Sequence, residues 1–369
     1  MRTIRQLIYG EVIAAISFVA LGFLALFFFF DFVDELQHIG KPGPAGTYLV
    51  THALMYVALL VPSHLYELMP ICVLIGTIFV MARLAQSSEY TILRTSGLGP
   101  WRALHTLLLL GLLLVMFTFA VGDYLSPLAD RNAQLLKARY QGKITVGQTG
   151  AWLKEKQPYN SYAANVSALG ADGDMKGVRI FEFDNKGFLV SLTHAPLARF
   201  GEDGAWMLQN AERSEFASLN PDTPRVERLK FANLRWPTGI TAEMVSVALL
   251  RPDRMGTIDL FQYIQHLEAN SQTSQRYEIE FWRKVFYPLS CLVMVVLALP
   301  FAYLHFRSGG ITGYVFGGVL IGISFFLLNN VFGYIGNLQN WRPWLTAAAP
   351  GMIYSLVSLG AFGWLVLRR

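Results

Sequence analysis

Side chains capable of catalysis or metal binding are few in this sequence and are poorly spaced. It contains neither an HExxH zinc motif nor a GxSxG nucleophile motif, and its seven histidines are scattered. Residues 142–145 (GKIT) resemble the end of a phosphate-binding loop, but Lys137 stands where that loop needs its first glycine. Cys72 and Cys291 both lie in apolar runs and form no CxxC motif. We therefore predict no catalytic residue, no metal site and no cofactor.

The composition instead indicates a membrane protein. Hydrophobic residues make up 53% and charged residues 15% of the 369 residues, and the mean hydropathy is +0.39. Soluble domains contain about 45–50% apolar and about 25% charged residues. The formal net charge is +5, but the basic residues that produce it are spread over short loops between apolar runs. We therefore predict no nucleic-acid binding.

Six apolar runs are long enough to cross a hydrocarbon core of about 30 Å. The start of the second run is ambiguous, because Pro62, His64 and Glu67 interrupt it. The runs are 12–30, a run that ends at 82, 103–121, 285–303, 311–332 and 344–367.

His64 and Glu67 are the ionisable pair within these runs that could move protons. They are three residues apart, so a helix would place them on one face, and ionisable groups inside a membrane are candidates for function. Counting about 30 Å back from Arg83 places both residues near the outer membrane surface instead. Both interpretations stay open, and the count favours the surface position.

The distribution of arginine between the loops predicts the orientation of the chain. Lysine and arginine accumulate in short cytosolic loops. If six helices alternate, the side opposite the arginines carries mainly acidic residues after the first helix. We predict that both termini are cytosolic. The arginines on that side are Arg2, Arg5, Arg83, Arg94, Arg102, Arg307, Arg368 and Arg369.

A long polar segment between the third and fourth runs has the pattern of β-strands. Residues 178–183 and 188–192 flank a glycine-containing turn at 184–187, residues 201–204 form a second turn, and residues 226–236 continue the pattern. Several short strands at close spacing favour a sandwich or jelly roll over an α/β domain. In the predicted orientation this domain lies outside the cytosol.

A short helix is predicted after these strands. Thr257 is a candidate N-cap, and Leu260, Ile264 and Leu267 lie along one face. The predicted fold class is therefore an α-helical membrane protein with six transmembrane helices, three before and three after an inserted all-β jelly-roll domain. The predicted domains are residues 1–125, 126–270 and 271–369.

The fifth run contains a series of closely spaced glycines. Small residues at intervals of four let helices approach closely in lipid, where no hydrophobic force drives their association. Two interpretations are open. The series serves packing within this chain, or it forms a contact or gate surface toward another membrane subunit. The glycines are Gly309, Gly313, Gly317, Gly318 and Gly322.

The loop between the second and third runs has a helical pattern of its own. Residues 84–97 read LAQSSEYTILRTSG, with Leu84, Ser88 and Ile92 on one face and Glu89 near the middle. A helix in such a loop cannot bury its apolar stripe alone. It either lies on the lipid surface or docks into a separate ATPase as a coupling helix, and the pattern alone leaves both open.

Four segments resemble the LptF/LptG family of lipopolysaccharide export permeases. Residues 84–101 (LAQSSEYTILRTSGLGPW) resemble the family's coupling-helix signature. Further matches are FVDEL at 32–36, GDYLSP at 122–127 and WRKVFYPLS at 282–290. The similarity covers nearly the whole chain. FVDEL and ARLAQSSE are more similar to the LptG branch than to the LptF branch.

The resemblance implies a permease subunit of the bacterial inner membrane that is not itself an enzyme. It would pair with an LptF-like permease around an outward-facing cavity that accepts lipopolysaccharide. An LptB-like ATPase dimer would supply the energy, and LptC-like and LptA-like bridge proteins would carry the lipid across the periplasm. The β domain would then be periplasmic, and the first and fifth spans would form lateral gates.

The resemblance also implies roles for individual residues. Glu89 matches the acidic residue of the coupling helix, which would make a charged contact with the ATPase. Basic residues that could contact lipid phosphates are sparse beyond the first span, where His38 and Lys41 are the candidates among acidic neighbours. The residues that would complete the ATPase contact are Leu84, Ser88, Ile92 and Leu93.

Two other classes of protein remain open at this stage. A permease of another envelope-lipid or lipoprotein exporter would share the coupling helix, but it would usually have four spans and a different outer domain. A non-transporting membrane scaffold would need no coupling surface.

Overall fold

The computed structural model describes most of the chain, with gaps concentrated in loops. Ser88, Leu93, Gly309 and the 142–145 segment lie outside the described residues. The described residues are 2–43, 45–87, 89, 92, 95, 99–141, 150–170, 173–201, 204–217, 225–242, 244–245, 252–303 and 311–367.

Long helices make up both ends of the chain. The third helix continues through a π-helical turn, Val121–Leu125, into the fourth, so that together they are longer than a membrane is thick. The helices are α1 (Arg2–Glu35), α2 (Val50–Gln86), α3 (Pro100–Ala120), α4 (Ser126–Gln141), α5 (Thr257–Ala269), α6 (Gln275–Phe286), α7 (Ser290–Ala298), α8 (Ile311–Leu338) and α9 (Pro343–Leu367).

Among the described residues, five helices are long and apolar enough to cross a membrane, or six if a bent pair counts as one span. The bent pair is α6 with 290–303, and its two parts meet at 46°. The bend lies at Pro288, which has no backbone N–H to donate, and the hydrogen bonds there tighten to the i−3 pattern, as in Cys291 N to Pro288 O at 3.1 Å. The fourth span, predicted as one run over 285–303, is therefore a broken helix.

The second span is the centre of the helical bundle. Within its most apolar window, 78% of the residues of α2 are buried, against 17% for α1. The helix runs unbroken from Val50 through Pro62 and Pro70 to Gln86, so the residues that interrupt the apolar run do not interrupt the helix. One stripe of α1, with the four-residue spacing of a helix face, packs into the same core as α2: Ile8, Val12, Ile16 and Ala20.

The inserted domain is a single antiparallel sheet of six strands whose order follows the sequence. A tight turn at Asp184–Phe188 joins two of these strands, and the Asp184 carboxylate accepts the Phe188 N–H at 2.8 Å. The strands are β3 (Ala151–Lys156), β4 (Asn160–Leu169), β5 (Met175–Asp184), β6 (Leu189–Phe200), β7 (Trp206–Ala217) and β8 (Arg225–Trp236), after a small hairpin of β1 (Pro42–Gly43) and β2 (Gly46–Thr47).

The predicted fold class, a helical membrane protein with an inserted all-β domain, is confirmed. Its jelly-roll detail needs correction for the described strands. A jelly roll joins two sheets by Greek-key connections, whereas here hairpins join every strand to its neighbour in sequence, which produces an up-and-down meander.

Helix α5 confirms the predicted apolar face but not the predicted cap. Leu260, Ile264 and Leu267 are all buried. The N-cap residue is Gly256, whose N–H points to the Asp259 carboxylate at 3.4 Å. Glycine lacks the side-chain oxygen by which N-cap residues are usually recognised in a sequence, so the pattern did not identify Gly256 as the cap.

The chain consists of two compact units. One comprises Met1–Val33, Leu60–Ala129 and Gln275–Arg369, and the other comprises Asp34–Leu59 and Asp130–Ser274. The sheet therefore forms a unit with the ends of α1 and α2 and with most of α4.

The pKa of His266 in α5 is expected to be lower than that of an exposed histidine. Burial lowers its pKa, while the charge of Glu155 acts in the opposite direction. Because the folded pKa lies below the unfolded value of about 6.5, this group costs stability as the pH falls below about 6.5 and has no such effect above it. An NMR titration of labelled histidines, with His266→Gln for assignment, measures the midpoint. A midpoint at or above that of an exposed histidine would contradict the burial.

Candidate functional site

The loop segment after α2 presents a carboxylate and an apolar side chain outward. Glu89 and Ile92 both have helical backbone and are exposed, Ile92 to 63%. The Thr95 hydroxyl donates to the Ile92 carbonyl at 2.9 Å, as in a helix. An exposed isoleucine beside an exposed carboxylate suits a protein contact that is partly apolar and partly ionic.

Leu84 does not belong to this exposed surface. It lies in the last turn of α2, is fully buried and packs into the core of the bundle. Helix α2 ends at Gln86, and Ser87 closes it by donating its N–H to the Arg83 carbonyl at 2.9 Å. The heptad-like spacing that grouped Leu84 with Ile92 therefore crosses the end of a helix, and the docking role predicted for Leu84 needs correction.

The glycines of α8 divide into two faces. A Cβ atom on Gly318 would lie 2.8 Å from Ile78 Cδ1, and one on Gly322 would lie 3.0 Å from Ile71 Cγ2. These two glycines let α8 pack closely against α2. A Cβ on Gly313 or Gly317 would meet nothing within 4 Å among the described atoms. Both interpretations of the glycine series therefore have residues to support them: packing within the chain on one face, and an open small-residue surface on the other.

The predicted headgroup residues differ in their surroundings. His38 Nδ1 lies 3.7 Å from the buried Glu35 carboxylate, so a lipid phosphate that approached His38 would also approach this acidic side chain. The Glu35 carboxylate also pairs with Lys137 Nζ at 3.1 Å. Lys41 is exposed. Of the two candidates, Lys41 is the one whose surroundings suit contact with an anionic headgroup.

His64 pairs across two helices instead of along one. Its Nε2 lies 2.7 Å from Asp31 Oδ2 on α1, and the Phe27 ring lies against its imidazole at 4.9 Å between centroids. Glu67, its predicted relay partner, is exposed. The sequence could not show this pairing, because Asp31 is 33 residues away in the chain.

One face of the sheet carries a small cavity with a buried acid. The cavity, of about 100 Å³, has apolar walls that include Ile180, Leu208 and Leu234. At its polar end, Glu182 of β5 accepts hydrogen bonds at 2.7 to 3.2 Å from donors on β4, β6 and β7. They are the side chains of Asn160, Tyr162, Ser191 and Arg213.

Comparison with known proteins identifies the family of this chain. The family model for the lipopolysaccharide export system permease LptF/LptG matches residues 6–368. The chain belongs to the LptF/LptG family. It is 28% identical over 341 residues to the lipopolysaccharide export system permease protein LptG of Escherichia coli (strain K12), which covers 92% of this chain and 90% of that protein.

A second relative supports the same assignment. The LptG permease protein of Haemophilus influenzae (strain ATCC 51907 / DSM 11121 / KW20 / Rd) is 26% identical over 372 residues, with 100% of this chain and 99% of that protein covered. The resemblance to the LptF/LptG family that the sequence motifs carry is thereby confirmed. This family member is a permease component of a lipopolysaccharide export complex with other Lpt proteins. Its apolar helices are those of a multi-pass inner-membrane protein.

Two of the motifs that carried the resemblance meet in this LptF/LptG-family structure. Lys284, from WRKVFYPLS, is buried and donates to the Gly122 carbonyl of GDYLSP at 2.7 Å. Gly122 lies in the π-helical turn, where the widened backbone displaces carbonyls from the regular i+4 ladder. A Cβ on Gly122 would overlap the Tyr66 ring. These residues join the third and fourth spans, and sequence reasoning did not assign them a role.

Proposed function

We propose that this chain is one half of the membrane part of an ATP-driven exporter, which extracts lipopolysaccharide from the inner membrane and passes it to a periplasmic bridge. The observation that carries the proposal is the exposed Glu89 and Ile92 surface directly after α2, within a chain that matches the permease family over nearly its whole length. A permease half needs such a surface because it has no nucleotide site of its own.

The proposed partners follow from the surfaces of the chain. An LptB-like ATPase dimer would bind the Glu89 surface, which requires the loops and both termini to be cytosolic. An LptF-like permease would contact the open face of α8 at Gly313 and Gly317. LptC-like and LptA-like proteins would receive the lipid from the sheet, which would then be periplasmic. A free edge such as β8, which pairs only with β7 among the described strands, can accept a further strand.

Purification of the native chain from its own membranes tests this proposal. We expect an ATPase and a second permease to purify with it, and ATP hydrolysis by the complex to respond to lipopolysaccharide. A co-purifying ATPase with a lipoprotein substrate would favour another type of envelope exporter. A chain that purifies without any ATPase would favour a scaffold and would contradict the proposal.

Photo-cross-linking can test the proposed role of the sheet. The apolar residues of the cavity would contact part of an acyl chain as lipopolysaccharide passes the sheet, because contact of acyl chains with water is unfavourable. Cross-linkers at Ile180, Leu208 and Leu234 should form adducts with lipopolysaccharide or a bridge protein during ATP-driven turnover. Cross-linkers at Arg179 and Lys230, which are exposed, are the matched controls. If no position along 178–192 or 226–236 forms adducts above these controls, the sheet is only a spacer.

A further inference from the structure

An ion pair joins the first two helices at the end that leads into the Glu89 surface. Arg83, in the last turn of α2, places a guanidinium nitrogen 2.6 Å from Glu11 Oε1 on α1. The two side chains are 46% and 30% exposed. The second carboxylate oxygen of Glu11 is buried and has no hydrogen-bond donor within the part of the chain that the structure describes. The pair is therefore held through one oxygen.

A second polar contact, the hydrogen bond between His64 and Asp31, joins the same helices about one membrane thickness away. Asp31 follows Glu11 by twenty residues on α1, and Arg83 follows His64 by nineteen on α2. At 1.5 Å per helical residue, both separations are about 30 Å, the thickness of a hydrocarbon core. The Glu11–Arg83 and Asp31–His64 pairs therefore lie at opposite ends of the two spans, where charged groups can reach water.

Between these two polar contacts, the helices are in close contact. A Cβ on Gly76 would lie 2.7 Å from the backbone nitrogen of Ile16, so the two backbones approach closely there. Most of the remaining surface of α1 is open, including Phe18, which is 80% exposed. Helix α1 thus packs against α2, and two further contacts join it to other helices: the Tyr9 hydroxyl donates to the Thr106 carbonyl of α3 at 2.9 Å, and Glu35 pairs with Lys137 of α4.

Arg83 also belongs to the connection with the exposed loop segment. Its carbonyl accepts both the N–H and the hydroxyl of Ser87, at 2.9 and 3.1 Å. Its backbone is therefore fixed to the residue from which the chain continues to Glu89, while its side chain is fixed to α1. If movement of the loop segment rotates the last turn of α2, it therefore also moves Arg83, the partner of Glu11.

We infer that Glu11 and Arg83 are positioning residues that transmit movement of the Glu89 surface to the first span. This inference rests on the proposed function, in which an ATPase moves that surface. The weakness of a partly exposed pair suits this role, because such a pair can break and reform within each cycle. The ion pair acts on the position of α1 and does not contact lipid or nucleotide.

Reconstituted complexes in vesicles that contain purified lipopolysaccharide test the inference. The quantity measured is lipopolysaccharide extracted per ATP hydrolysed. For Glu11→Gln and Arg83→Gln, we expect it to fall by about two- to fivefold, with ATP hydrolysis and complex yield close to those of the wild type. Arg83→Lys keeps the positive charge, so the amount of lipopolysaccharide extracted per ATP should stay close to the wild-type value. Exchange of the charges, with Glu11→Arg and Arg83→Glu together, should restore it.

The Asp31–His64 pair supplies the matched control. His64→Gln removes the imidazole from a polar contact between the same two helices but at the other end, so it should leave the amount of lipopolysaccharide extracted per ATP close to the wild-type value. An equal fall in His64→Gln and Glu11→Gln would mean that both pairs only staple the helices, which would overturn the inference. An unchanged amount of lipopolysaccharide extracted per ATP in Glu11→Gln would also overturn the inference. So would a fall in both complex yield and ATP hydrolysis in the Glu11→Gln or Arg83→Gln complex.

A distance measurement separates this inference from the proposed function. Spin labels at Leu7→Cys on α1 and Thr95→Cys in the loop segment can be placed selectively, because the native Cys72 and Cys291 are fully buried. In the purified chain, Glu11→Gln should widen the distance distribution between the labels. An unchanged distribution would overturn the ion-pair inference even where transport is observed. A wild-type complex that extracts no lipopolysaccharide would contradict the proposed function alone.

Discussion

Substitution of Glu89 by lysine is expected to uncouple the permease from its ATPase and to abolish lipopolysaccharide transport. Reversal of a charge at a partly desolvated interface costs several kcal/mol, roughly 2–5, through like-charge contact or an unpaired charge on the partner. The side chain is exposed and lies beyond the end of α2, so the spans should still fold. The amount of co-purifying ATPase and the transport rate measure the effect.

A charge reversal elsewhere provides the control for Glu89→Lys. Glu268 is also exposed, in the last turn of α5, and Glu268→Lys should leave both ATPase binding and transport unchanged. Glu89→Gln should lie between the wild type and Glu89→Lys, because it removes the charge without reversing it. Full ATPase binding and transport in Glu89→Lys would show that this segment is not the coupling surface.

The glycines of α8 should respond to enlargement in two different ways. Gly318→Leu places a side chain where Ile78 already lies within 2.8 Å, so the bundle itself should lose roughly 1–3 kcal/mol of stability through overpacking. Gly317→Leu meets open space in the isolated chain. It should fold normally but impair association with the second permease or entry of the lipid, because a small-residue contact surface would be blocked.

Three measurements distinguish these outcomes for the α8 variants. Thermal unfolding in detergent should shift to lower temperature for Gly318→Leu and stay unchanged for Gly317→Leu. Co-purification of the second permease and cysteine cross-linking to its first span should decrease for Gly317→Leu. If Gly317→Leu assembles and transports like the wild type, the open face of α8 is not the subunit contact.

The membrane class, the inserted β domain and the family were predictable from the sequence, because each depends on local patterns. An apolar run of span length has few stable environments other than lipid. Hairpin turns such as 184–187 appear in the sequence as glycine and aspartate between β-rich runs, and the structure places a turn there. Loop segments keep recognisable motifs because a surface that binds a partner depends on residues that are close in sequence.

The pairing of distant residues required the tertiary structure. His64 was predicted to act with Glu67, three residues away, but its partner is Asp31 on another helix. Leu84 has the spacing of a docking residue, yet the end of α2 buries it. Helical periodicity describes which residues share a face, but it does not specify what that face meets.

Membership of the LptF/LptG family, the multi-pass helices and the inserted all-β domain follow from the amino-acid sequence, because hydropathy, turn residues and motifs are local properties of the chain. The three-dimensional structure was needed to show which of the α8 glycines face α2, where the fourth span bends, and that Glu11 contacts Arg83. These features depend on how helices far apart in sequence pack against each other. A side chain of a given type packs inside the chain or faces outward according to its neighbours across the bundle, and periodicity along one helix carries no information about those neighbours.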